Sequence, residues 1–86
     1  MEYQIKIHKR VDKFLEFHSH LVSPFFSKME ILKYNPFDPS VDVKKLQNEE
    51  SKYRLRVGKY RFLFEIVEKQ ILIDVYDADS RGGVYK

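Results

Sequence analysis

The first eight residues alternate between apolar and polar side chains, a pattern typical of a half-buried β-strand. From His8 onward the spacing changes to three and four residues, which predicts an amphipathic helix. The stripe of this helix is formed by Val11, Phe14, Leu15 and His18. The chain is therefore predicted to begin with a strand that leads directly into a helix.

A second helix is predicted after a break at Ser19. Ser23-Pro24 has the form of an N-cap followed by proline at the first helical position, and an apolar stripe then continues to Tyr34. The segment Asn35–Pro39 contains two prolines, which lack the backbone N–H that a helix interior requires. The second helix is therefore predicted to end before this segment.

The second half of the chain has the pattern of β-strands. Val41–Leu46 is ambiguous between a loop and a short strand, and Asp77–Lys86 is predicted as a polar tail. The predicted strands are Tyr53–Val57, Tyr60–Val67 and Gln70–Tyr76, joined by turns at Gly58-Lys59 and Glu68-Lys69. The predicted fold is a single α+β domain over residues 1–86: an N-terminal strand, a helical hairpin and a three-stranded antiparallel meander (β-α-α-β-β-β). The helices are expected to pack on one face of the sheet.

A two-residue turn at Gly58-Lys59 sets the pairing of the strands on either side of it. Arg56 is then opposite Arg61, and opposed residues share a face of the sheet. The predicted core face contains Tyr53, Leu55, Val57, Tyr60, Phe62, Phe64 and Ile66, and the turn at Glu68-Lys69 adds Ile71, Ile73 and Val75. The other face, predicted to be uncovered, contains Lys52, Arg54, Arg56, Arg61, Leu63, Glu65, Leu72, Asp74 and Tyr76. In this register Tyr76 is opposite Arg61.

Composition adds that the 86 residues make at most one small domain, with 43% hydrophobic residues and no cysteine. A disulfide framework and a zinc–thiolate site are therefore excluded. No apolar run is long enough to span a membrane, and Met1–Arg10 lacks the apolar region of a signal peptide. We expect a cytoplasmic protein that needs no cofactor.

The positive charge is concentrated in one segment. Lys44–Arg61 contains seven basic residues against two glutamates, a net charge of +5. A polyanion such as RNA is therefore a candidate partner. The candidate substrate-binding residues are Lys44, Lys45 and Lys52, with Tyr76 available to stack on a base. A solvated face neutralised by Asp74, Glu65 or the tail remains the alternative interpretation.

The segment Tyr53–Ile66, with the sequence YRLRVGKYRFLFEI, resembles the RelE/ParE superfamily of bacterial toxin–antitoxin toxins. Asn35-Pro36-Phe37 followed by Lys44-Lys45-Leu46 is similar to the segment that precedes this motif in the family. The end of the chain, Asp77–Lys86, resembles the ending DADSRGDIYK of one branch. The resemblance covers nearly the whole chain, and the fold it implies agrees with the predicted order of elements.

The resemblance implies a toxin that a cognate antitoxin binds and neutralises in a hetero-oligomer. RelE-like members cleave mRNA in the ribosomal A site without a metal, whereas ParE-like members poison DNA gyrase. A third possibility is a weakly active member that works mainly through antitoxin binding and operon autoregulation. Position by position, the resemblance implies catalytic roles for Arg54, Arg56, Arg61, Arg81 and Tyr85.

Metal-free RNA cleavage requires a base, an acid and cations that neutralise the phosphorane. Arginine suits the cationic role because guanidinium is always charged and grips phosphate with two hydrogen bonds, but it cannot act as the base. Well-known ribonucleases of the family have lysines where this chain has Arg54 and Arg56. Tyr85 is the candidate acid or base by resemblance, and Lys52 is a possible substitute donor. The three histidines lie in or beside the predicted first helix, and we interpret His18 as half-buried and His8 and His20 as surface residues.

Overall fold

The computed structural model describes residues 2–80, which form a five-stranded sheet and two helices. The strands are β1 (Gln4–Ile7), β2 (Asp42–Lys45), β3 (Lys52–Val57), β4 (Tyr60–Val67) and β5 (Leu72–Ser80), and the helices are α1 (Lys9–Phe17) and α2 (Val22–Tyr34). The strand order in space is β1-β5-β4-β3-β2, with β1 parallel to β5 and the other neighbours antiparallel. The predicted α+β class is confirmed, and the ambiguous segment before β3 contributes a fifth strand at one edge.

The helices begin and end near the predicted positions. A short 3₁₀ turn, Ser19–Leu21, forms the break between them. α2 begins at Val22 rather than at Pro24, which still lies in the first turn, where its missing N–H costs no helical hydrogen bond. Asn35 is extended at φ −154° and ψ 97°, as expected for a residue before proline, and it ends α2.

The core lies between the two helices and one face of the sheet, which we call the helix-covered face. Phe62 on β4 is fully buried, and its ring centroid is 4.4 Å from that of Phe25 on α2. Burying a side chain of this size contributes about 1.5–3 kcal/mol. The largest fully buried side chains are Phe25, Phe62, Phe64, Leu32, Leu55, Ile73, Val11 and Val75. The sheet residues of this set are all ones predicted for the core face.

The connection from β4 to β5 is longer than the predicted two-residue turn. A 3₁₀ turn, Glu68–Gln70, is followed by Ile71 with a left-handed φ of 49°. Ile71 therefore belongs to the turn and not to the core face, so this prediction is wrong. Ile73 and Val75 are completely buried, as predicted.

A β-bulge changes the second half of the β4–β5 pairing. Phe64 is opposite Val75, but Leu63 is opposite Asp77, so Tyr76 is an extra residue on β5. The longer turn and the bulge together place Asp79 opposite Arg61, and the prediction that Tyr76 occupies this position is wrong.

The end of β5 also differs from its prediction. The strand extends to Ser80, so the segment 77–80 is part of the sheet rather than a polar tail. The rest of the predicted tail, including Arg81 and Tyr85, lies outside the described residues.

Candidate functional site

The β3–β4 hairpin has the predicted register. Arg56 is opposite Arg61, and Arg54 is opposite Leu63. Gly58 has a φ of +63°, the left-handed value that the first position of a type II′ turn requires. The three arginines therefore share the face of the sheet that points away from the helices, which we call the arginine face.

Arg54 is buried on the arginine face, with 8% of its side chain exposed. Its Nη1 atom donates to Asp42 Oδ1 at 3.1 Å and to the Asp42 backbone carbonyl at 3.4 Å. Leu63 opposite it is also buried. The prediction of an uncovered face is therefore wrong at these two positions, and Arg54 is held by protein groups rather than presented to solvent.

Asp42 belongs to β2 and is opposite Arg56 across the strand pair. Its second carboxylate oxygen, Oδ2, lies 3.9 Å from Arg56 Nε. One carboxylate thus contacts two of the three arginines. The predicted neutralising groups were Asp74, Glu65 or the tail. Asp42 has this role for Arg54 and Arg56, whereas Asp79, from the predicted tail, is opposite Arg61.

Arg56 and Arg61 border an open cleft at the end of the hairpin. The cleft has a volume of about 290 Å³, and Gly58 and Lys59 complete its lining. Arg56 is 47% exposed at its side chain, and Arg61 is half-buried. Two guanidinium groups and an ammonium group around one cleft can bind a phosphate through several charge-assisted hydrogen bonds. Lys59 was not among the candidate site residues from the sequence.

The candidate substrate-binding residues are not all on the arginine face. Lys44 is opposite Arg54 and shares its face, whereas Lys45 is opposite Tyr53 and belongs to the helix-covered side. Neither Lys44 nor Lys45 is among the residues that line the cleft, and their role in substrate binding stays a prediction.

Lys52 and Tyr76 contact each other instead of the cleft. The Nζ atom of Lys52 is 5.5 Å from the centroid of the Tyr76 ring and 3.9 Å from a carboxylate oxygen of Glu49. Lys52 and Tyr76 therefore form a pair that is separate from the cleft. Asp79, and not Tyr76, is opposite Arg61.

β5 carries three aspartates, which make this strand the negatively charged part of the sheet. Asp74 Oδ1 is 2.9 Å from His8 Nε2, and Asp77 Oδ2 is 3.6 Å from Arg10 Nη1. Asp79 is opposite Arg61. Positive charge is therefore concentrated on the β3–β4 hairpin and β2, away from the β1–β5 edge.

The periodicity of the sequence carries no signal for the Asp42 contacts or for the contact between His8 and Asp74. Both join residues that are far apart along the chain, and the sequence predicts which residues pair only where a short turn connects two strands. Arg81 and Tyr85, which the resemblance implies for catalysis, lie outside residues 2–80, so their roles stay predictions.

Residues 2–80 contain neither a cluster of metal-ligating side chains nor a membrane-spanning helix. Within that range, no three histidine, aspartate or glutamate side chains come close enough together to hold a metal ion. In the same range, no helix has both the length and the apolar character needed to cross a membrane.

Comparison with known proteins agrees with this fold. No protein-family model matches the chain. A protein of Methanocaldococcus jannaschii, described as "Putative toxin RelE1", is 32% identical over an alignment of 88 positions that covers 100% of this chain and 98% of the relative. A chain of the archaeal RelE–RelB complex from Pyrococcus horikoshii OT3 is 33% identical with a TM-score of 0.80, covering 96% of this chain and 99% of that one.

The E. coli toxin RelE, in a mutant form in the free state, has a TM-score of 0.76 and covers 98% of this chain and 87% of its own. Its identity is only 13%, so this match concerns the fold. The Methanocaldococcus jannaschii protein, by contrast, is similar in sequence over the full length of this chain. Together with the fold and the hairpin motif, this similarity shows that the chain belongs to the RelE superfamily, the toxins of toxin–antitoxin systems.

Proposed function

We propose that the protein is a metal-free endoribonuclease that cleaves mRNA in the ribosomal A site and is neutralised by a cognate antitoxin. The observation that carries this proposal is the cleft between Arg56 and Arg61 at the end of the β3–β4 hairpin. Two arginines directly opposite each other repel, and such a pair costs stability in a sheet. Asp42 beside Arg56 and Asp79 opposite Arg61 offset part of this repulsion, and a phosphate between the two arginines would add an attractive contact to each.

The chemistry assigns different roles to the arginines. Arg56 and Arg61 would neutralise the charge that develops on the phosphorane as the 2′-oxygen attacks. Arg54 is buried against Asp42, so it is a positioning residue and its guanidinium does not reach the cleft. Arginine cannot accept the 2′-hydroxyl proton, and we keep Tyr85 as the proposed group for proton transfer, with Arg81 as a further phosphate contact.

The proposed partner is an antitoxin that covers the arginine face. Related chains have been solved as RelE–RelB complexes from Pyrococcus horikoshii and E. coli. Charge complementarity predicts that such a partner brings acidic side chains to Arg56, Lys59 and Arg61, and that its affinity falls as salt is added. An affinity independent of salt would instead place the main contact on an apolar surface.

The test uses Arg61→Ala, with Lys69→Ala as the matched control. Lys69 is an exposed cation in the turn at the far end of β4, so its removal changes the net charge equally. Each variant is incubated with ribosomes carrying a defined A-site codon, and the 5′ ends of the RNA are mapped. We expect cleavage by the wild type and by Lys69→Ala, and its loss in Arg61→Ala with little change in melting temperature.

Two results would contradict the proposal. Full cleavage by a folded Arg61→Ala would remove the cleft from the active site. An intact mRNA together with gyrase-dependent DNA breaks, measured in parallel, would show that the protein is a gyrase poison.

A further inference from the structure

Three polar aromatic rings meet where the β3–β4 hairpin turns. The ring centroid of Tyr60 is 5.1 Å from that of His18 and 5.7 Å from that of His20, and the two histidine rings are 6.2 Å apart. His20 is exposed, and the other two are half-buried. These rings, which we call the histidine–tyrosine cluster, therefore form a surface at the edge of the core.

The position of His18 in this cluster is held by the protein. Its ring stacks on Phe14 with centroids 4.1 Å apart and an angle of 18° between the planes. His18 Nδ1 is 2.8 Å from the Phe14 carbonyl oxygen. Because a carbonyl can only accept, Nδ1 carries the hydrogen, and this contact orients the ring. A ring that is already oriented loses little conformational freedom when a ligand stacks beside it.

The cluster is next to the phosphate cleft along the chain. Tyr60 lies between Lys59 and Arg61, which both line the cleft, and consecutive Cα atoms are only about 3.8 Å apart. Side chains alternate across a strand, so Tyr60 points to one side of the hairpin and Arg61 to the other. The cleft and the cluster thus lie on opposite sides of the same hairpin end, and a nucleic acid strand with a phosphate in the cleft would cross the Gly58-Lys59 turn to bring a neighbouring base to the cluster.

We infer that His20 and Tyr60, supported by His18, form a stacking subsite for one nucleobase of the RNA whose phosphate occupies the cleft. Single-stranded RNA is commonly held by stacking its bases on tyrosine, phenylalanine or histidine rings. The inference rests on the proposed function, because it concerns the same RNA. The exposed ring of His20 would make most of the contact with the base, since the rings of His18 and Tyr60 are partly buried by packing.

The experiment measures binding of the labelled protein to ribosomes whose A-site mRNA carries 2′-O-methyl groups, which block the attacking oxygen and prevent cleavage. His20→Ala is compared with His20→Phe, which keeps a ring at the same exposed position. We expect His20→Ala to weaken binding about tenfold, the scale of one lost stacking contact, and His20→Phe to bind like the wild type. Thermal melting of each variant checks that the fold is unchanged.

A second set of mRNAs identifies the base. In each mRNA one nucleotide in or beside the A-site codon is replaced by an abasic residue. If His20 stacks on one base, the difference between wild type and His20→Ala disappears for the mRNA that lacks this base and persists for the others.

The inference is overturned if Arg61→Ala abolishes cleavage while His20→Ala binds like the wild type. It is also overturned if the effect of His20→Ala is the same for every abasic position. In both cases the proposed function stands and only the subsite is rejected. A wild type that leaves native mRNA on ribosomes uncleaved would reject the function, and the subsite with it.

Discussion

The contact between Asp42 and Arg54 gives a prediction in which stability and RNA binding change in opposite directions. The perturbation is Asp42→Asn, which keeps an acceptor oxygen and removes the negative charge. Arg54 then remains buried, with 8% of its side chain exposed, next to a neutral amide. Arg56 loses the carboxylate oxygen that lies 3.9 Å from its Nε atom.

The expected loss of stability follows from the burial of the two partners. Removing one partner of a fully buried ion pair costs about 3–5 kcal/mol, whereas exposed pairs contribute about 0.2–1 kcal/mol. Here the arginine is buried but the aspartate side chain is 56% exposed, so solvent screens part of the interaction. We expect a loss of roughly 1–2 kcal/mol, between these limits, and a fall in melting temperature of about 4–8 °C for each kcal/mol in a domain of this size.

Urea denaturation followed by circular dichroism measures this loss, with Glu50→Gln as a control that removes the same charge from an exposed loop position. Asp42→Asn should also bind RNA more tightly at low salt, because it removes a negative charge beside Arg56. Arg54→Met should cost less in the Asp42→Asn background than in the wild type, because the unpaired buried charge is then removed as well. The reasoning is refuted if Asp42→Asn unfolds within about 0.5 kcal/mol of the Glu50→Gln control, the usual range for a surface substitution.

Three further predictions concern the scaffold. Gly58→Ala should lower the free energy of unfolding by about 1–2 kcal/mol in urea denaturation, because alanine is strained at a φ of +63°. An added Cβ would meet nothing within 4 Å, so the cost comes from the backbone alone, and a loss of stability below about 0.3 kcal/mol would contradict this. Ile73→Val, at a completely buried position, should cost about 0.5–1.5 kcal/mol, whereas Phe17→Ser, at a ring that is 83% exposed, should change the free energy of unfolding by less than about 0.5 kcal/mol. The hydrogen bond to Glu2 raises the pKa of Lys33 above its ordinary value of 10.5, so its contribution to stability should be present below that pH and lost as the pH rises through the folded-state pKa. Lys33→Met should remove this alkaline dependence of the urea midpoint, and an unchanged profile would show that Lys33 is not its source.

The sequence by itself determined the features that depend on residues close together along the chain. The spacing of apolar residues identified β1, both helices and the three long strands. The two-residue turn at Gly58-Lys59 then determined the pairing of Arg56 with Arg61, because a tight turn leaves a single register for the strands it joins. Alternation from that turn separated the core face from the arginine face. The family also followed from this region, since the hairpin carries the most characteristic part of the motif.

Only the tertiary structure decided which side chains meet across strands that no short turn connects. Alternation indicates the face on which a residue lies, but it does not identify the neighbouring strand or the depth of burial. β2 brings Asp42 beside the buried Arg54, and the longer β4–β5 turn together with the bulge on β5 replaces Tyr76 with Asp79 opposite Arg61. Such contacts form when distant segments pack together, and one inserted residue changes every pairing beyond it.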